Sequence, residues 1–485
     1  MIGVALLVLA VVLPVAAALT TMRYGEAKYQ AALRLSAAAA LALTLVASLA
    51  VVDAVVPLGG APGSATAGLA GGRALVMTPL AQLGIQLLAL AMLGLVLALG
   101  HEAPGLIGWW LPVAWLSVAG LNVALLVNSM PIALLIFVGA ALLWAVGLPH
   151  LAARALPGAV LNYAALLALA MPLVLIAFRL AESRTVTTPD APTLEWLVLA
   201  LAVPGFGLIL AFIPLHAWAL TLAQGTPRVM FFGVLTIVQT AGFVLLLRAL
   251  QNYAWITGVA RTPLVVGGAL STCLGGWLAL SARRDDPDDW LVYAAIANGG
   301  ILLTGLGTQS ATAGAAIALL LFVRVLSLVV LALGVRVDRP LERMSTAAAT
   351  LALAGTPGLA GFPALWVVLR RLQALGADSP ALVALSGGAL LAGSSFLFAT
   401  AIRRWHAPSI GGGMDAEDED VSGGWDEEGA VGDRASPNVG GTWVDQGARH
   451  AMWVLLGLLI FLGLAPQVIA PAFTDALVRM FFRAQ

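Results

Sequence analysis

Lysine occurs once in 485 residues, at Lys28, and charged residues of all kinds make up only 10% of the chain. The formal net charge is zero, so the chain has no basic field with which to hold nucleic acid. A single cysteine, Cys273, excludes a disulfide framework and a thiolate metal cluster. No glycine-rich phosphate loop, Cys/His metal spacing or nucleophile triad is present, so neither a catalytic site nor a metal or cofactor of the chain's own is expected. Acidic residues are missing altogether between Glu102 and Glu182. What fills the sequence instead is apolar: 61% hydrophobic residues and a mean hydropathy of +0.99. Runs of about 18 or more such residues recur, each long enough to cross roughly 30 Å of hydrocarbon as a helix. That excludes a soluble globule and predicts an all-α polytopic membrane protein. Residues 1–20 lack a positive leading region and a cleavage site, and read as a first transmembrane helix rather than a removed signal.

Hydropathy marks fourteen spans, at about 2–20, 35–57, 77–100, 105–128, 129–148, 158–180, 194–213, 226–247, 263–281, 290–307, 311–335, 346–369, 380–402 and 448–470. Asn128 to Pro131 separates the fourth from the fifth, because proline ends or kinks a helix at the residue before it. Loops after odd-numbered spans hold the larger share of basic residues, among them Arg23, Lys28, Arg34, Arg283, Arg284 and Arg403. The positive-inside tendency then puts both termini on the outer face of a bacterial inner membrane. Two polar excursions interrupt the apolar pattern. Residues 58–76 form a Gly-rich loop, and within 403–447 an acidic, glycine-rich stretch from 410 has the composition of a disordered segment. The acidic stretch reads as a solvated linker, with a docking arm for a basic partner subunit as the alternative.

One stretch organises the rest. Hydrophobic residues run up to Ile213, and Pro214-Leu215-His216-Ala217-Trp218 then interrupts them, followed by Gln224-Gly225-Thr226-Pro227 before the apolar run resumes. A broken helix at membrane depth frees backbone groups that must find partners inside protein or a wet cavity. A second interruption, from Pro357 through Gly361 to Pro363, lies in the other half of the chain. Paired breaks in corresponding halves are the mark of an inverted repeat, and discontinuous helices are where transporters place their working site.

These motifs carry a family resemblance. Pro214-Leu215-His216-Ala217-Trp218, Gln224-Gly225-Thr226-Pro227, Leu291-Val292-Tyr293-Ala294-Ala295-Ile296-Ala297-Asn298-Gly299-Gly300, Gly334-Val335-Arg336-Val337-Asp338-Arg339 and the stretch from Leu351 to Phe362 follow one another in the order found in a known group. The chain resembles the antiporter-like membrane subunits of respiratory complex I (NADH-quinone oxidoreductase), membrane-bound hydrogenases and multisubunit Na⁺/H⁺ antiporters, and most of all the quinone-proximal member. The resemblance implies two inverted five-helix repeats, each with a discontinuous helix. Residues 105–247 and 263–402 would be the repeats, 1–104 the leading helices and 448–485 a last helix and tail. It also implies other membrane subunits of such an assembly, together with the bilayer, as partners.

Moving a proton or cation across a bilayer needs titratable groups inside it. In the resembled family a lysine stands where this chain has Ile209, another at Gln239, and a lysine or glutamate at Leu365. A histidine there is replaced by Asn298, and a Lys-Arg pair by Asp288-Asp289. Among the polar residues left at membrane depth, His216, Gln239, Asn298 and Arg324 become the candidates for an ion pathway, and Thr236 and Thr240 stand beside Gln239 as residues that could hydrogen-bond across the helix. Arg324 is expected to pair with helix carbonyls or with an acid on a partner subunit, with an ion or lipid-headgroup role as the alternative, and His216 to be a hydrogen-bonded structural residue rather than a proton carrier. Trp109, Trp110 and Trp115 are expected in an interfacial belt. The first expectation is a membrane subunit with a degenerate proton pathway and a structural or assembly role. The alternatives are an active translocating subunit using His216, Gln239, Arg324 and waters, and a stand-alone transporter or lipid-binding protein that reuses the fold.

Overall fold

Inside hydrocarbon a backbone has no water to bond, so each long apolar run closes its N–H and C=O groups internally as a helix. The computed structural model describes residues 2–24, 29–50, 54–57, 74–99, 104–147, 157–183, 191–282, 289–334, 339–377, 379–405 and 443–465. Three helices come first: α1 (Ile2–Tyr24), α2 (Tyr29–Leu49) and α3 (Pro79–Leu99). A set of five crossings comes next. It comprises α4 (Pro104–Leu126), α5 (Met130–Gly147), α6 (Pro157–Ser183), the interrupted pair α7 (Ala191–Leu210) and α8 (Ala217–Gly225), and a helix made of α9 (Arg228–Gly233), a π-helical turn Val234–Val238 and α10 (Gln239–Asn252). The second set repeats that order with α11 (Ala254–Ser281), α12 (Asp289–Gly307), α13 (Ala311–Gly334), the interrupted pair α14 (Arg339–Ala354) and α15 (Gly361–Ala374), and α16 (Pro380–Trp405). α17 (Trp443–Leu464) comes last among the described residues.

Among the described residues, eleven helices are individually long and apolar enough to cross a membrane. Adding α4, the α14–α15 pair and α17 gives the fourteen crossings expected from hydropathy. Each set has an odd number of crossings, so the second enters the membrane from the face opposite to the first. In both sets the fourth crossing is the broken one.

Burial sorts the helices. The segment Val229–Asn252 is buried along its whole length and α12 and α13 nearly so, whereas only 22% of the apolar window of α16 and 28% of that of α1 are covered. The interior helices therefore meet protein on all sides, and the outer ones present leucine, valine and phenylalanine to their surroundings, as at Leu161, Leu385 and Phe398. With no hydrophobic drive between helices in lipid, close approach depends on small residues. α11 shows this best. A Cβ added at Gly276 would stand 2.4 Å from the carbonyl oxygen of Gly393 on α16, and one at Gly268 would stand 2.6 Å from that of Gly300 on α12.

Four expectations need revision or lie beyond view. Trp110 and Trp115 are fully buried: Trp110 packs edge-on against Trp144 with ring centroids 5.2 Å apart, and Trp115 donates its indole N–H to Ser36 Oγ at 3.1 Å. They are core residues here, because both lie on the packed side of α4, away from its partly exposed stripe at Val113, Leu116, Gly120 and Val123. Residues 74–76, assigned to the Gly-rich loop, form a strand β2 (Ala74–Val76) paired antiparallel with β1 (Val55–Pro57), Val55 facing Val76. α11 begins at Ala254 and carries Pro263 inside it, so the span starts earlier than hydropathy suggested. The rest of 58–76, the acidic stretch 410–442 and the tail beyond 465 lie outside the described residues.

Candidate functional site at the paired breaks

The first break occupies residues 211–216. Ala211 takes a left-handed backbone at φ 55°, and the Ile213–Pro214 bond is cis. The last carbonyls of a helix have no partner of their own, and this end meets its needs from several directions. Phe212 N–H donates to Gly207 O at 3.0 Å. The Trp218 indole N–H donates to Leu208 O at 2.7 Å, and Gln239 Nε2 reaches Leu210 O at 3.3 Å. Trp218, expected as a position of the discontinuous helix, thus helps to close it. Pro227 stands immediately before α9 and begins the next helix. An apolar cavity of about 160 Å³ lies beside the break, with Phe206, Phe212, Pro214, Leu246, Leu264 and Leu303 in its wall.

The second break occupies residues 355–360. Gly355 at φ 71° and Gly358 at φ 86° supply the left-handed turns that a side chain would strain. Gly361, opening α15, is a glycine for a different reason: a Cβ there would lie 2.0 Å from Ala352 O. Pro357 is exposed in the loop, and Pro363 sits in the first turn of α15, where a missing N–H costs nothing. Ala360 N–H donates to Leu459 O of α17 at 2.9 Å, and Asn298 Nδ2 donates to Leu353 O at 3.0 Å.

Between the breaks stands Arg324, on α13 and 1% exposed. Its Nη2 donates to Gln239 Oε1 at 2.5 Å, and its Nη1 to Ala295 O and to Asn298 Oδ1, the latter at 3.3 Å. The guanidinium carbon lies 5.6 Å from the centroid of the Phe243 ring, within cation–π range. Among the described residues no carboxylate forms an ion pair with Arg324, so its partners are neutral dipoles and an aromatic face. Gln239 owes part of its position to the π-helical turn just before it. Its N–H donates to Val234 O, five residues back. Such turns shift the register of the residues after them, and they occur often at functional sites.

The structure therefore brings together Gln239, Asn298 and Arg324 from α10, α12 and α13, all buried. It sets His216 apart. That residue stands immediately before α8 without a side-chain capping bond, is partly exposed, and faces the Tyr293 ring with centroids 5.9 Å apart. No hydrogen bond joins it to Arg324. Ile209 and Leu365 are buried in apolar packing, Ile209 against Gly242 and Leu365 against Gly355. Nothing in the sequence had pointed to Leu210 O, Leu353 O or Ala295 O, because every residue carries a carbonyl and only the chain's path shows which are left free. The pairing of Arg324 with helix carbonyls was expected, and Ala295 O is one.

Comparisons with known proteins bear on this arrangement. Residues 181–391 match the sequence model of a family described as NADH:quinone oxidoreductase/Mrp antiporter, TM. The chain is 32% identical over 226 residues to NADH-quinone oxidoreductase subunit N of Salinispora tropica, covering 40% of this chain and 43% of that protein. It is 33% identical over 142 residues to NADH-quinone oxidoreductase subunit N 2 of Herpetosiphon aurantiacus, covering 25% of each. The chain thus spans less than half the length of these curated relatives. Similarity of fold is wider. A chain of the Mrp complex from Dietzia sp. superposes with a TM-score of 0.71 at 18% identity, covering 100% of this chain and 98% of that one. A chain of respiratory complex I from Thermus thermophilus does so with a TM-score of 0.69 at 22% identity, covering 96% and 99%.

Proposed function

We propose that this chain is an antiporter-like membrane protein of the NADH:quinone oxidoreductase/Mrp type, serving as a subunit of a multisubunit energy-converting membrane assembly in which its own centre holds a fixed cation in place of a proton relay. The observation that carries the proposal is the way Arg324 is held. A guanidinium keeps its proton across the physiological range, and this one donates to neutral acceptors on two neighbouring helices. A relay needs a group that releases a proton and takes one back. At Ile209 and Leu365 the chain has buried hydrocarbon instead. The partners in this reading are the neighbouring membrane subunits of a complex I-like, hydrogenase-like or antiporter assembly. In this reading residues 104–252 and 254–405 are its two repeats, with α1 to α3 before them and α17 after them.

A second reading is favoured by one observation on α12. Asp289 accepts a hydrogen bond from Gln224 Nε2 at 2.9 Å, Tyr293 meets His216 one turn further, and Asn298 meets Arg324 beyond it. At about 1.5 Å per residue these groups step from one end of the helix toward its middle, which is how a hydrated half-pathway would be laid out.

Two measurements separate the readings. Purification of the tagged chain in mild detergent should recover other membrane subunits with it; recovery of a lone polypeptide would point to a stand-alone transporter or lipid-binding protein. Vesicles holding the intact assembly should then move the same number of protons or cations per turnover when Arg324→Gln or His216→Gln is introduced, while less assembly is recovered. Lost translocation at unchanged assembly would replace the first reading with the second.

A further inference from the structure

The hydrogen bonds around Arg324 form one connected line that ends at both breaks. Leu210 O closes α7 and Leu353 O lies one residue from the end of α14. Carbonyls in a last helical turn lack intrahelical partners, and at membrane depth water is scarce. Each is met by a side-chain carboxamide: Gln239 Nε2 donates to Leu210 O at 3.3 Å, and Asn298 Nδ2 donates to Leu353 O at 3.0 Å. The oxygens of those same two carboxamides accept from a single guanidinium, at 2.5 Å for Gln239 and 3.3 Å for Asn298. The order is carbonyl, amide, guanidinium, amide, carbonyl, with one discontinuous helix at each end.

A carboxamide has a donor end and an acceptor end. The cation decides which way both amides face, because an NH₂ turned toward Arg324 would meet another donor and leave a carbonyl unpaired. A charge-assisted bond to the oxygen also polarises the amide and strengthens what its nitrogen donates. Losing one link therefore weakens the next. Arg324 is suited to this as lysine would not be: its planar fork presents separate nitrogens to separate acceptors in fixed directions.

We propose that Arg324 is a tie between the two discontinuous helices, so that neither break loosens without the other. The tie rests on the fixed-cation reading above, since only a permanently protonated group holds both amides at once. It adds that the charge has a positioning task, coupling two halves of the chain whose breaks are never in direct sequence contact.

Hydrogen–deuterium exchange of the purified full-length chain in lipid nanodiscs tests the tie, read by mass spectrometry over residues 207–216 and 353–362. Gln239→Leu touches only the first break directly, and Asn298→Leu only the second. Each substitution should raise exchange in both segments, by about tenfold or more in its own, the factor lost with a charge-assisted bond, and measurably in the distant one. The helix α5 serves as reference and should keep its protection. A rise confined to the nearer break, or one spread equally through α5, would overturn the tie. Arg324→Met should loosen both breaks, and exchange unchanged at both would overturn it too. Because exchange does not depend on whether protons move, the tie can fail while the translocation result still supports the fixed cation, so the two failures are told apart.

Discussion

At the scale of single residues the centre of the molecule is a problem in placing one charge. Arg324 and Gln239 stand 85 positions apart in sequence and share a hydrogen bond. A second cation at Gln239 would sit about 4 Å from the first, a repulsion of roughly 4 kcal/mol at an effective dielectric constant near 20. Gln239→Lys alone should therefore collapse the yield of monodisperse protein and lower its unfolding midpoint in detergent. Adding Arg324→Gln to that variant moves the cation to the facing helix and should restore most of both, since one charge and one amide remain. A double variant no better than the single would show that the site does not treat the two positions as exchangeable. The polarity of Gln239, Asn298 and Arg324 was plain from the sequence, because few polar residues interrupt the apolar runs. Their meeting was not, since the spacing within one helix carries no information about which face of another it will touch.

At the scale of helices, glycine separates two physical roles along α11. Gly276 lies against the backbone of Gly393, which cannot rotate away as a side chain could. Gly276→Ala should push α11 from α16 and cost about 1–3 kcal/mol, the usual range for overpacking. Gly258 on the same helix has nothing within 4 Å of an added Cβ. Gly258→Ala should leave stability unchanged or raise it by about 0.5–1 kcal/mol through better helix propensity. Unfolding midpoints of the two variants, measured side by side in one detergent, check the contrast; equal effects would argue against the close crossing. Gly361→Ala makes a sharper case at the second break, where the added methyl would meet Ala352 O, and its midpoint should fall further than that of Gly276→Ala. Prolines made both breaks legible in advance: Pro214 lies inside the first, and Pro357 inside the second. The π-helical turn escaped notice, because Val234-Leu235-Thr236-Ile237-Val238 reads as ordinary apolar helix and nothing in its composition marks a hydrogen bond reaching five residues back.

At the scale of the whole molecule, hydropathy was enough to count fourteen crossings, since length and apolar content alone decide whether a helix can span. It could not tell which helices are central. In a bilayer the lipid-facing and protein-facing sides are both apolar, so Trp110 and Trp115 in the core look no different in sequence from the exposed Trp196 and Trp453. The position of α17 makes the same point, and it can be tested. This helix comes after the acidic stretch, yet it packs against α3, α13, α14 and α15, and its Leu459 O accepts from Ala360 N–H in the second break. Gly463 lies so close to that break that a Cβ would stand 2.4 Å from the Leu359 carbonyl carbon. Packing of this kind and the buried backbone bond hold helices together in lipid without a hydrophobic drive. The covalent link should then be dispensable. A protease site placed within residues 415–435 and cut after membrane insertion should leave the fragment carrying α17 bound to the rest through detergent purification on a tag at either end. The same cut combined with Gly463→Leu should release it, because the larger side chain displaces α17 from the backbone it covers. Loss of α17 from the cut protein without that substitution would mean that the connection, rather than the contact with the second break, keeps the last helix in place.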